Sequence, residues 1–218
     1  MSCAICETRK EKRFCLAVHG KICPQCCGEQ REVTLDCPSE CPYLQQARAN
    51  ERPRSADNLK DTELFLKVEV GDQFIYEREH LLLGLTFALA KAARANRALN
   101  DRDMIAALTS ITRSYETLAN SGLHYESPSP SLAQQAVATE VQTMIKEYRE
   151  AEQKHMGYVR LRDSEVLRAL VFLVRMGHGR TSGRPKSRAF IDFLLGQFPE
   201  NKSGVATPHE TGSRIIAP

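Results

Sequence analysis

Cys3-Ala4-Ile5-Cys6, then Cys15, then Cys23-Pro24-Gln25-Cys26-Cys27, then Cys37-Pro38-Ser39-Glu40-Cys41: all eight cysteines of this 218-residue chain fall between residues 3 and 41. That crowding decides how the N-terminal end folds. Residues 1–45 hold little apolar mass beyond Phe14, Leu16, Val18, Ile22, Val33 and Leu35, and so short a segment does not close a core that offsets its chain entropy without a staple. A CxxC turn aims two thiolates at one ion and leaves backbone amides to donate to the sulfurs, the arrangement tetrahedral zinc takes. Eight thiolates, Cys3, Cys6, Cys15, Cys23, Cys26, Cys27, Cys37 and Cys41, fill two such sites, and a structural zinc contributes an apparent ~10–16 kcal/mol. The first ten residues lack the apolar run of a secretory signal. The expected compartment is therefore the cytoplasm, where clustered CxxC pairs act as metal ligands and not as disulfides.

Other thiol chemistries fit less well. An iron–sulfur cluster takes four thiolates and leaves four spare. A redox CxxC at Cys23–Cys26 needs a βαβ setting that the sequence does not offer. Catalytic zinc keeps one position open for water, whereas sites closed by four thiolates do not. The expected ions are two structural zinc ions per chain.

The order of close pairs, with Cys15-x3-His19 where a second pair would stand, resembles the cross-brace double-zinc modules of the MYND and HIT-type fingers. The resemblance covers residues 1–45. It implies that Cys3, Cys6, Cys23 and Cys26 hold one zinc, that Cys15, Cys37 and Cys41 hold the other with Cys27 or His19 as fourth ligand, and that the module binds protein partners. Those families have CxxC as the second pair and no Cys-Cys doublet in the third, so the pairing stays open here. The strings from Ile22 to Gly28 and from Cys37 to Leu44 are also similar to the N-terminus of uncharacterised bacterial proteins with a helical remainder. That likeness runs on through Gly183-Arg184-Pro185-Lys186 and Arg188-Ala189-Phe190 and implies no particular activity.

Beyond the cysteines the periodicity is helical. Phe74, Leu81, Leu82, Leu85, Leu89 and Ala92 share one face of a helix over 73–98 with Asp72 as cap; Asp101 caps a second, which carries Ile105, Leu108, Ile111 and Leu118 and stops at Gly122. Ser131 and Gln134 open a third by a capping-box pattern, and Gly157 interrupts it. A fourth, over 165–176, is apolar all round from Ala169 to Val174, which places it at the centre of a bundle. Pro185 suits the first turn of a fifth, ending near Gly196. Leu64, Leu66, Val68 and Val70 alternate as a lone strand. The expected architecture is a small zinc-stabilised module over 1–45, a linker over 46–57, an all-α bundle of about five helices over 58–199 and a mobile tail over 200–218. The longest apolar run, Ala169–Val174, is far short of the ~20 residues that span a bilayer, so no membrane partner is expected.

The chain carries 30 Lys and Arg against 27 Asp and Glu. Its positive excess lies between Glu165 and Asp192, where Arg168, Arg175, Arg180, Arg184, Lys186 and Arg188 meet no acidic residue. A glycine-rich connection entering a helix can present amides and guanidinium groups to phosphate; Arg175, Arg180, Arg184, Lys186 and Arg188 are therefore candidate phosphate or nucleic-acid contacts. The spacing of Gly177, Gly179 and Gly183 fits neither dinucleotide nor P-loop patterns. The competing reading is a helix connection whose cations dock on other parts of the fold. Arg9, Lys10, Lys12 and Arg13 alternate with Glu7 and Glu11 as an exposed loop. His80, His124, His155 and His178 are scattered singly, and Tyr125-Glu126 precedes a Pro-rich loop. No catalytic set assembles. The sequence thus points to a non-enzymatic binding protein whose partner is a protein, with RNA or DNA binding through residues 175–188 as the alternative and a metal-dependent enzyme as a remote third.

Overall fold

The computed structural model describes residues 2–51, 64–123 and 131–199. The Pro-rich loop with Tyr125 and Glu126, His124, the later part of the expected linker and the expected mobile tail lie outside them.

The N-terminal module pairs β1 (Arg13–Cys15) with β2 (Gly20–Ile22) in an antiparallel hairpin, Phe14 opposite Lys21. His19 closes its turn in the left-handed region, at φ 51°. Two short helices follow, α1 (Pro24–Gln30) and α2 (Pro42–Asn50), each with proline in the first turn, where a missing N–H costs nothing and φ is already helical. Residues 46–50 of the expected linker thus belong to α2. The buried side chains here are mostly the cysteines themselves and Ile22, too few to hold the module by apolar burial alone.

Among the described residues that follow, the helices are α3 (Asp72–Glu77), α4 (Glu79–Ala95), α5 (Asp101–Ser121), α6 (Leu132–Met156), α7 (Asp163–Arg180) and α8 (Ala189–Gln197). Helix α5 packs on α6 and α7, and α4 on α6 and α8. Val166, Ala169, Leu170, Val171, Leu173 and Val174 of α7 are fully buried, as a helix apolar all round requires. Gly122 and Gly157 end α5 and α6 at φ 69° and 79°, a conformation that costs glycine least. Ser131 caps α6 by accepting from the Gln134 N–H at 3.2 Å.

Four expectations need correction. The single helix over 73–98 is two, α3 and α4, broken at Arg78; the break lets Arg78 Nε reach Glu165 Oε1 in the first turn of α7 at 3.0 Å. Asp72 and Asp101 each stand one position inside their helices, which are capped by Gly71 and Asn100. The alternating stretch 64–70 is not a strand. Its Phe65 adopts φ 50°, and the carbonyls of Leu64, Phe65 and Val68 accept from Arg175 at 2.8–2.9 Å. Finally, α8 starts at Ala189 and not near Pro185, because buried Asp101 caps it across space: its carboxylate accepts from the N–H groups of Phe190 at 3.2 Å and Ile191 at 3.1 Å and from Ser187 Oγ at 2.7 Å. Such a cap satisfies amide groups that the first turn of a helix leaves unpaired.

Candidate metal centre

The turn Cys3–Cys6 is closed by a Glu7 N–H bond to the Cys3 carbonyl at 2.8 Å, with Glu7 at φ 57°. The second pair stands where β2 runs into α1: Cys23 is the helix cap, its sulfur accepting from the Cys26 N–H at 3.4 Å. Backbone pairing of Ala4 with Lys21, at 3.0 Å, draws the two turns together. The sulfurs of Cys3, Cys6, Cys23 and Cys26 consequently all lie within 4.8 Å of one another. A tetrahedron of sulfurs ~2.3 Å from zinc has edges of about 3.8 Å, so the four thiols are close enough together to hold a metal ion. Cys3, Cys23 and Cys26 are buried and Cys6 is partly exposed. Cys3 Sγ also accepts from the N–H groups of Cys23, at 3.2 Å, and Ile5, at 3.5 Å, the amide support that tunes metal thiolates.

The electrostatics of the cluster fit a cation. The Thr8 hydroxyl and the Arg9 and Thr8 amides bring the Cys6 thiol down to about 5. Burial and the neighbouring thiols push Cys26 up to about 12. The Cys26 N–H lowers Cys23, to which the Arg9 guanidinium also donates. Four sulfurs this close resist ionising together unless a positive charge sits among them; Arg9 supplies part of that charge from outside. Arg9 escaped the sequence reading because its loop looked merely solvated.

The remaining cysteines are arranged differently. Cys15 ends β1, Cys41 precedes α2, and both are buried. Burial raises the Cys37 thiol, as do nearby Cys15, Cys41 and Glu32, against a lowering bond from the Glu32 N–H. Cys27, buried on α1, accepts from Arg13 Nη1 at 3.6 Å and Arg31 Nη2 at 3.8 Å. Among the described residues no second group of three or more His, Cys, Asp or Glu side chains gathers as closely as the first.

The basic segment is turned inward. Arg175 holds the 64–68 carbonyls, Arg188 donates to the Arg97 carbonyl at 2.6 Å and also to that of Leu99, and Arg180 lies 3.9 Å over the Phe193 ring. Arg184 and Lys186 reach the module, at Gly28, Arg31, Thr34 and Asp36. Glu32, Arg48 and Asp192, which the sequence reading passed over, join the two units: Arg48 bonds Glu32 at 2.8 Å and Asp192 at 2.6 Å. No local pattern marks these three, since their partners lie far away in the chain. His80 and His155 are exposed and His178 is half-buried; none belongs to the thiol cluster. Among the described residues no helix is long and apolar enough to cross a membrane. No protein-family model, curated protein or solved structure matches the chain.

Proposed function

We propose that the chain is a non-enzymatic zinc-containing adaptor whose N-terminal module binds a protein partner. Cys3, Cys6, Cys23 and Cys26 would hold one zinc; Cys15, Cys37 and Cys41, with Cys27 or His19, a second. The observation that favours a protein partner is the division of surface chemistry. Arg175, Arg184, Lys186 and Arg188 are bonded to carbonyl and carboxylate oxygens within the chain, while the module leaves Phe14, Leu16 and Val33 exposed, at 53, 38 and 39%. Exposed apolar side chains on a small module suit protein contact better than phosphate contact. Nucleic-acid binding by residues 175–188 is the alternative, and it requires some of those bonds to open.

Elemental analysis of the full chain, purified under reducing conditions, tests the metal: about two zinc per chain are expected from four thiolates per site, and stoichiometric iron with visible cluster absorption would refute it. Affinity purification from native cells tests the partner. A stoichiometric protein should copurify and be lost on Phe14→Ser with Val33→Ser at unchanged zinc content. Recovery of nucleic acid without such a protein would reverse the reading.

A further inference from the structure

The segment that the sequence offers to phosphate is seated on the metal module. Arg184 Nη1 donates to the Gly28 carbonyl at 3.0 Å and the Arg31 carbonyl at 2.7 Å, at the C-terminal end of α1. The Lys186 N–H donates to the Glu32 carbonyl at 2.8 Å, and its Nζ to the Thr34 carbonyl and Asp36 Oδ2, both at 2.9 Å. Ser182 Oγ donates to Glu32 Oε2 at 2.9 Å. Every acceptor belongs to residues 28–36, between Cys27 and Cys37.

That platform depends on the thiol cluster. Helix α1 has seven residues, well below the ~12 at which an isolated helix becomes even marginally stable. It is fixed at its N-terminal end by Cys23 and Cys26, two of the four gathered sulfurs. If the cluster needs an ion, the module's few apolar residues would not hold α1 without it, and the carbonyls at its far end would lose their common direction. The two ends of the basic segment are anchored elsewhere. Arg175 is tied to the 64–68 carbonyls, Arg188 to the Arg97 and Leu99 carbonyls, and the start of α8 to Asp101, all within the helical bundle.

We propose that metal at Cys3, Cys6, Cys23 and Cys26 gates a polyanion-binding surface. With the ion bound, Arg184 and Lys186 are masked by the module. On its removal residues 28–36 disperse, and Arg180, Arg184 and Lys186, still held at both ends by the bundle, face solvent as a phosphate-binding loop suited to duplex nucleic acid. The inference rests on the metal reading above and adds to it the regulation of the basic segment.

The test uses the full chain under reducing conditions, zinc-loaded and chelator-stripped, with a fluorescein-labelled duplex of roughly 20 base pairs read by anisotropy. Stripped protein should bind with a log–log salt slope of about −2.7 for three phosphate contacts, losing about 40-fold in affinity between 50 and 200 mM salt, and zinc-loaded protein should bind far more weakly. Hydrogen exchange should quicken over residues 181–187 and stay unchanged over 85–112. Arg184→Gln with Lys186→Gln should lower the stripped protein's slope to about −0.9. Equal binding by that variant and the stripped wild type would overturn the proposal, since it would assign the contact to Arg9, Lys10, Lys12 and Arg13 of the unfolded module. So would equal binding with and without metal. Unaltered exchange at 181–187 after zinc has left would overturn the gate and leave the zinc reading standing; reduced protein that never contains metal would overturn both.

Discussion

Replacing Glu32 by glutamine should loosen the module from the bundle with little change in shape. Glu32 is 2% exposed and sits at φ 53°, a backbone state that a non-glycine residue keeps only when its surroundings impose it. They do: its N–H bonds the Cys37 sulfur, its carbonyl accepts from the Lys186 N–H, and its carboxylate meets Arg48 at 2.8 Å and Ser182 Oγ at 2.9 Å. Removing one partner of a fully buried ion pair costs ~3–5 kcal/mol. The Arg48 side chain is 21% exposed and keeps Asp192, and the substituted amide oxygen would still accept from Ser182, so the loss should be about 2 kcal/mol. For a chain of this length that is about 4–8 °C in Tm. Thermal and urea unfolding of the protein as purified under reducing conditions would measure it, and a cycle with Arg48→Met isolates the pair, with an expected coupling of about 1–2 kcal/mol. A loss under about 0.5 kcal/mol, the size of an ordinary surface substitution, would refute the reasoning. An identical loss in the Arg48→Met background would do the same.

Two further outcomes follow from the bundle. A methyl group at Gly177 would lie 2.9 Å from Ile105 Cγ1 and 3.2 Å from the Phe190 ring, so Gly177→Ala should destabilise by about 1–3 kcal/mol in urea unfolding; a neutral or stabilising result would mean that α5 and α8 yield freely there. Burial raises the Glu165 carboxyl, but the Arg162 N–H and the Arg78 guanidinium outweigh it and hold it below the usual carboxylate range. A depressed folded value stabilises above the unfolded value and is lost as pH falls through the folded one, so Arg78→Met should lower the urea midpoint at neutral pH by an amount that shrinks below about pH 4. A difference that stays constant into acid would show that Glu165 contributes through packing alone.

The helices were legible where one local rule acted alone. Gly122, Ser131 and Gly157 bound their helices because a cap needs only its own neighbours, and the apolar Ala169–Val174 run found the core because burial follows composition. The misreadings came where distant groups compete for the same backbone. Leu64 to Val70 alternates like a strand, yet Arg175, more than 100 residues on, takes its carbonyls, and among the described residues no second strand pairs with it. Asp101 looked like a cap and is one, but for the helix that starts at Ala189 and not for its own. A carboxylate in the sequence announces that it accepts hydrogen bonds without saying from which chain segment.

The same limit governs the candidate site. The two CxxC pairs were readable because short spacing fixes where two sulfurs point, and a hairpin between them is enough to bring the four together. Cys15 and the pair Cys37 and Cys41 lie on two separate stretches whose meeting depends on the turn at Glu32 and on the docking of α2, so spacing says much less about them. The basic segment was ambiguous for a chemical reason. A guanidinium group seeks oxygen acceptors, and phosphate outside the chain and the Gly28 and Arg31 carbonyls within it both provide them. Which of them wins is set by the cost of holding the carbonyls in place. In this fold that cost falls on α1, seven residues long and fixed at one end by the very sulfurs that a metal ion would draw together.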